Sequence, residues 1–219
     1  MTNSIDKTIW QTKGQEGEFS FHKKNIWRQT PKFMEQTTKL FEYFGFSKDQ
    51  FAHQTIIDLG CGSKLRTKYF QKSRIIGIEP LADRFNQEIV WSDLNNCFKL
   101  YSFPAEHYIE ECFKIADLVI SINVLDHCFN FKTIIDNIVK YTKLNGKIFL
   151  SFDKHDEVDD LHPLALNEEF CEETFEKAGL VVVDCLRGFG GAIPENTYGH
   201  GPYALNYHLT LKKAKSLIL

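Results

Sequence analysis

I-I-D-L-G-C-G-S-K-L, residues 56–65, joins an apolar β-branched run to an acid, two alternating glycines and a polar corner. Such a run reads as a strand entering a tight turn. Bare backbone at a turn of this kind lets a ligand approach closely. A dinucleotide fingerprint would place a third glycine where this chain has Leu65. Asp58 also puts negative charge where a pyrophosphate gains nothing from it. A ligand with a cationic part suits the position. A plain strand-to-helix turn with surface acids is the alternative.

Outward from this turn the pattern alternates. Upstream, Pro31 can open a helix, with Phe33, Met34, Leu40, Phe41 and Phe44 at helical spacing and Gly45 as its stop. Downstream, strands are expected at 55–59, 74–79, 99–103, 117–122 and 146–152. Between them come a short helix at 65–70 and an irregular stretch at 81–98, with at most one helical turn and an extended piece at E-I-V-W. Further helices are expected at 105–113 and at 131–141, the latter with Ile134, Ile135, Ile138 and Val139 inward. A helix over 167–179, closed by Gly179, precedes strands at 180–186 and 204–211.

The strands before 152 are short and apolar, as in a sheet covered on both faces. The last two have no helix between them. The expected fold class is therefore α/β: a Rossmann-like, doubly wound sheet, mostly parallel, ending in an antiparallel hairpin. The 219 residues suffice for one domain, with residues 1–54 as a helical lid segment packed on a core of residues 55–219. Trp10, Phe19, Phe21 and Trp27 support packing of the first segment, since a disordered tail carries fewer aromatics.

Composition narrows the function classes. With a formal charge of −3, a strongly basic face for nucleic acid is not expected, which leaves only a local patch open. No apolar run is long enough to insert in a membrane, and the first ten residues hold no signal-peptide core. The six cysteines form no C-x-x-C pair, which argues against structural zinc and for free thiols in a reducing, cytoplasmic setting.

In an open α/β sheet, ligands bind beyond the carboxyl ends of the strands. The polar candidates fall there: Asp58, Gly60 and Gly62 after the first strand, Glu79 after the second, and Pro104, Ala105 and Glu106 after the third. Asn123, Asp126 and His127 follow the fourth, and Asp153 and His155 the fifth. Glu79 stands about twenty residues past the glycines, where a carboxylate reaches ribose hydroxyls.

As a set these motifs resemble the class I S-adenosylmethionine-dependent methyltransferases, over roughly residues 55–211. I-I-D-L-G-C-G is similar to the first motif of that family and I-I-G-I-E-P-L-A-D to its second-strand motif. P-A-E, A-D-L-V-I-S-I-N-V-L-D-H and T-K-L-N-G-K-I-F-L-S are similar to the later ones. The likeness of I-E-P-L and N-V-L-D-H extends to small-molecule methyltransferases of the type 11 kind, some acting on sugars or glycan precursors. The resemblance implies S-adenosylmethionine as cofactor. Asp58, with the backbone of Gly60, Cys61 and Gly62, would face its aminoacyl end. Glu79 beside Pro80 would hold the ribose, Pro104 and Ala105 would border the adenine, and Asn123 and Asp126 would line the methionine side. Apart from the resemblance, the N-terminal aromatics and Arg28 read either as a lid, with Arg28 near the cofactor carboxylate, or as ordinary packing. Two positions depart from the family pattern: Pro104 stands where an acid is common, and Ser63-Lys64 where a further glycine is common.

A sulfonium methyl is already activated, so alignment matters most, and an alcohol acceptor gains from a base. His127, His155 and His162 are the candidate catalytic bases. D-K-H-D-E-V-D-D-L-H (153–162) has donors suited to Mg or Mn, but reads more simply as a solvated acidic loop, so no metal is expected. The 187–203 loop, through Tyr198, His200 or Tyr203, is a place for acceptor contacts. The reading is methylation of a small molecule, on the oxygen of a sugar, a glycan precursor or another metabolite. The alternatives are a non-catalytic cofactor-binding or scaffold protein of the same fold and, less well supported, an NAD(P)-type oxidoreductase. An enzyme methylating nucleic-acid amino groups fits poorly, since Asn123-Val124-Leu125 stands where an Asn/Asp-Pro-Pro-aromatic segment would be.

Overall fold

The computed structural model describes residues 7–155, 157–187 and 204–212. Seven strands among them form one sheet: β1 (Thr55–Leu59), β2 (Arg74–Ile78), β3 (Lys99–Tyr101), β4 (Ala116–Ile122), β5 (Thr142–Asp153), β6 (Leu180–Arg187) and β7 (Ala204–Leu211). Their order is β3-β2-β1-β4-β5-β7-β6. The first five run parallel, and β7 pairs antiparallel with both β5 and β6. The antiparallel final pair is as expected. Its insertion is a refinement: β7 lies between β5 and β6, so β6 becomes the edge.

The helices are α1 (Lys7–Ile9), α2 (Gln15–Lys24), α3 (Pro31–Tyr43), α4 (Ala82–Glu88), α5 (Phe131–Tyr141) and α6 (Glu168–Lys177), with a π-helical turn at Trp10–Gly14 joining the first two. Side chains alternate across the sheet with period two. On one face Ile56, Leu118, Ile120 and Phe149 meet Leu40, Phe41 and Phe44 of the α3 region. On the other, Ile57, Val119, Ile148 and Leu150 meet Ile134, Ile135 and Ile138 of α5 and Phe175 of α6. Both faces are covered, which is why these strands read as continuous apolar runs. Asn130 and Asn167 cap α5 and α6 by accepting the Thr133 and Phe170 N–H groups.

Three local expectations are corrected. Residues 105–113 are not an α-helix; only Glu110–Cys112 forms a 3-10 turn. Here tertiary partners win over helical spacing: Glu106 accepts the N–H groups of Phe129 and Asn130, and the Tyr141 hydroxyl accepts that of Ile109. Residues 81–98 hold a full α4 rather than one turn, and E-I-V-W forms its end and a turn, not a strand. The helix at 65–70 is a 3-10 turn, Arg66–Tyr69. In the first segment Trp10 and Phe19 are buried, Trp27 is half-buried and Phe21 exposed.

Strand order reverses between β1 and β4, so a crevice opens beyond their carboxyl ends. The glycine turn leaves β1 at that point.

Candidate functional site

The glycine turn is fastened on several sides. Gly60 N–H donates to Ile78 O at 2.7 Å and Gly62 N–H to Glu79 Oε2 at 3.0 Å. Gly60 and Gly62 have φ of +72° and +63°. A Cβ on Gly60 would stand 2.3 Å from Val124 Cγ2, and one on Gly62 would stand 2.6 Å from His22 Cε1. Conformation and space both demand glycine at these positions. Ser63 and Lys64, the departures from the family pattern, complete the fastening. The Ser63 hydroxyl pairs with His22 Nδ1 at 2.7 Å, and Lys64 Nζ reaches Trp91 O at 3.3 Å and Asp93 at 3.4 Å. Asp93 also accepts Leu65 N–H at 2.9 Å.

Two acids at the turn are buried. Asp58 Oδ2 accepts the Thr67 hydroxyl at 2.5 Å. Burial pushes its carboxyl up to about 6, with the Thr67 bond and Arg66 opposing. Glu79 accepts Gly62 N–H through one oxygen and Leu81 N–H through the other, both at 3.0 Å. Burial pushes it up to about 7 against those two bonds. Both acids are costly to ionise in a dry site, so both gain from a ligand that brings positive charge or hydroxyl donors. His22, above the turn, is held neutral by burial first and then by Arg28 and Arg66.

A cavity of about 480 Å³ begins at Asp58, Gly60, Cys61 and Gly62, passes Arg28 and Asn123, and ends at Asp126, His127 and His162. Beside it a smaller one of about 70 Å³ is lined by Glu79, Pro80 and Ala105, with Trp10 and His22 on its N-terminal side. Asn123 takes a left-handed φ of +58°, and its N–H donates to Ser151 O at 2.7 Å. Its buried Oδ1 has no hydrogen-bond partner among the described residues.

At the far end imidazoles surround one buried carboxylate. His155 Nε2 lies 3.4 Å and His127 Nε2 3.6 Å from Asp126 Oδ2. The His127 and His162 ring centroids are 4.7 Å apart, and those of His155 and His162 are 4.1 Å apart. Burial alone would raise the Asp126 pKa, but His127 and the His155 bond hold it below the usual carboxylate value. Burial would lower that of His127, yet Asp126 and Glu18 raise it. His155 is raised mainly by its bond to Asp126.

The sequence-derived candidates thus converge. All line one of the two cavities except Pro104 and His155, which stand outside the lining, His155 Nε2 lying 3.4 Å from Asp126 Oδ2. Tyr198, His200 and Tyr203 lie outside the described residues. His22, Thr67 and Asp93 were missed; each acts through a partner distant in sequence or, for Thr67, across a turn. Glu18 was missed too, although it lines both cavities and sits 3.3 Å from His127 Nδ1.

No protein-family model and no curated protein matches the chain. Solved structures do match it. An S-adenosylmethionine-dependent methyltransferase from Clostridium acetobutylicum superposes with a TM-score of 0.63 at 12% identity, over 91% of this chain and 100% of that one. The 1,6-didemethyltoxoflavin-N1-methyltransferase of Burkholderia thailandensis, solved with 1,6-didemethyltoxoflavin and S-adenosylhomocysteine, gives 0.61 at 15% identity, over 96% and 94%. Phosphoethanolamine N-methyltransferase 2 of Haemonchus contortus, solved with S-adenosyl-L-methionine, gives 0.56 at 13% identity, over 82% of this chain and 52% of that one. The fold is the Rossmann-like fold of the S-adenosylmethionine-dependent methyltransferases.

Proposed function

We propose that the protein is an S-adenosylmethionine-dependent methyltransferase acting on a small molecule, with an oxygen of a sugar, glycan precursor or other metabolite as acceptor. One observation carries this reading: a single cavity joins the buried acid and left-handed glycines of the β1 turn to the histidine-lined rim beyond β4. The likeness to enzymes solved with a toxoflavin precursor and with S-adenosyl-L-methionine supports it.

The residues present fit the cofactor. The larger cavity opens on the bare glycine turn, and Asn123 Oδ1 is a buried acceptor in need of a donor. Asp58 would take the ammonium and Arg28 the carboxylate. Each Glu79 oxygen accepts one N–H and keeps a second lone pair for a ribose hydroxyl. Pro80 and Ala105 border the base. When bound, the cofactor supplies an activated sulfonium methyl. The chain's task is to align the acceptor and exclude water. The proton of an acceptor hydroxyl would leave toward the cluster of His127, His155 and His162. α1, α2 and the π-turn between them form a lid over the turn. The six cysteines, all unpaired, fit a reducing, cytoplasmic setting. No helix among the described residues is long and apolar enough to cross a membrane.

Calorimetry with S-adenosylmethionine and S-adenosylhomocysteine tests the reading. Binding at about micromolar level is expected. Folded protein that binds neither would refute it.

A further inference from the structure

We propose that Asp126, His127 and His162 bind a divalent first-row transition-metal cation whose open positions face the larger cavity and take an oxygen of the acceptor. The part played toward the acceptor rests on the methyltransferase reading; the cation site does not.

Asp126 is 1% exposed, and its Oδ1 has no hydrogen-bond partner among the described residues. A buried carboxylate oxygen left so is costly, and a cation answers that cost directly. The side chain lines the cavity together with His127 and His162.

The spacing suits one ion. Ligand atoms about 2.0–2.1 Å from a metal lie about 2.8–3.4 Å from one another in octahedral or tetrahedral geometry. His127 Nε2 is 3.6 Å from Asp126 Oδ2, and one ligand atom from each of Asp126, His127 and His162 falls within 4.8 Å of the others. Closing that gap takes shifts of about 1 Å, within reach of side-chain rotation.

The rings are also supported as ligating histidines are. His127 Nδ1 lies 3.1 Å from Leu161 O and 3.3 Å from Glu18 Oε1, and His162 Nδ1 lies 3.0 Å from Asp159 Oδ2. A proton on each Nδ1 satisfies these acceptors and leaves each Nε2 lone pair free. Outer carbonyls and carboxylates fix the tautomer of metal-bound histidines in this way. His155 Nε2 lies 3.4 Å from Oδ2, the carboxylate oxygen that His127 also approaches, and steadies the carboxylate there while Oδ1 keeps no partner among the described residues.

Two imidazoles and one carboxylate favour Mn, Fe(II), Co or Zn over Ca or Mg, which want oxygen ligands. Simple ion pairing of Asp126 with protonated histidines would leave Oδ1 unanswered and place like charges in neighbouring rings. A cation would orient an acceptor hydroxyl and make its proton more acidic. In the transfer His127 and His162 are taken up as ligands, so that proton leaves by way of His155 to solvent; the O–CH3 bond forms as the S–CH3 bond breaks, and the sulfonium becomes a neutral thioether.

The test is Co(II) titration of untagged, chelator-treated protein, followed by visible absorption and calorimetry, with S-adenosylhomocysteine binding measured on the same samples. One equivalent of Co(II) with ligand-field bands is expected. His162→Ala should weaken it at least about 100-fold. Asp159→Ala, which removes the support of the His162 ring together with the acceptor of the Leu161 and His162 N–H groups, should weaken it at least about 10-fold. Both variants should keep S-adenosylhomocysteine binding. Wild-type protein that binds the product but no Co(II), or variants that bind Co(II) as wild type does, would overturn the cation site. Co(II) binding without product binding would leave the site standing and refute the methyltransferase reading.

Discussion

Gly62 donates its backbone N–H to Glu79 Oε2 at 3.0 Å, so the acid after β2 fastens the turn after β1. One side chain thereby shapes the turn and faces the proposed ribose position. Glu79→Ala leaves the Gly62 and Leu81 N–H groups without their acceptor and should cost about 1–3 kcal/mol of stability. It should also remove at least about 1.5 kcal/mol of cofactor affinity, the scale of a hydrogen bond to a charged group. Glu79→Gln keeps one acceptor oxygen and should fall between wild type and Ala on both counts. Denaturant unfolding and calorimetry measure the two effects separately. An affinity unchanged in the Ala variant would refute the ribose assignment.

Cofactor affinity should rise with pH. Burial places Asp58 at about 6 and Glu79 at about 7, both above their unfolded values of about 3.9 and 4.3. A raised folded pKa means that the folded chain holds these protons longer. The stability they contribute is full below about pH 4 and is lost as pH rises through about 6 and 7. An ammonium near Asp58 and hydroxyl donors near Glu79 both favour the ionised acids. S-adenosylmethionine should therefore bind up to about a hundredfold tighter for each pH unit gained below 6 and about tenfold tighter between 6 and 7, levelling off above 7. Asp58→Asn should stabilise the ligand-free protein at pH 8 by about 1–3 kcal/mol while weakening the cofactor. Calorimetry from pH 5 to 8 reads the profile, and a flat one would remove Asp58 from the site.

Where the sequence was legible, the reason was burial on a fixed period. β1, β4 and β5 carry apolar runs because both sheet faces are covered, and α3 and α5 show apolar faces because one side of each is buried. Asp58 and Glu79 were legible because they end strands. The segment at 105–113 was not, because Glu106 and Tyr141 claim its neighbourhood through contacts no local pattern records. His22 meets Ser63 across 41 residues, so only the fold joins them. His127 sits after β4, and His155 and His162 after β5. Their meeting at Asp126 follows from the neighbouring of those strands, which made an acidic loop look merely solvated when read alone.

Gly60→Ala tests how closely the turn is packed. The new Cβ would lie 2.3 Å from Val124 Cγ2, on backbone at φ +72°. Left-handed backbone alone costs about 1–2 kcal/mol for a residue with a Cβ. The clash adds to it, and a total above about 2 kcal/mol is expected. Adding Val124→Ala should relieve the clash but not the backbone strain, so the double variant should recover only part of the loss. A double variant with additive losses, measured by denaturant unfolding, would show that the turn yields instead of clashing.

His22→Ala should tighten cofactor binding while weakening the fold. His22 Nδ1 lies 2.7 Å from the Ser63 hydroxyl and 3.3 Å from Ser63 N, and its ring packs 4.8 Å from that of Phe85. These contacts hold α2 down over the turn. The space they leave beside Glu79, Pro80 and Ala105 is about 70 Å³, against the roughly 300 Å³ at which ligand sites begin. On the proposed reading an adenosine moiety enters only as α2 lifts, and the apparent dissociation constant would carry the cost of lifting it. Removing the imidazole should cost about 1–3 kcal/mol of stability, because Ser63 loses a buried partner. The same loss raises the lifted population and should lower the dissociation constant for S-adenosylhomocysteine several-fold. Calorimetry on wild type and variant decides it: weaker binding by the variant would make α2 part of the binding surface and not a cover over it.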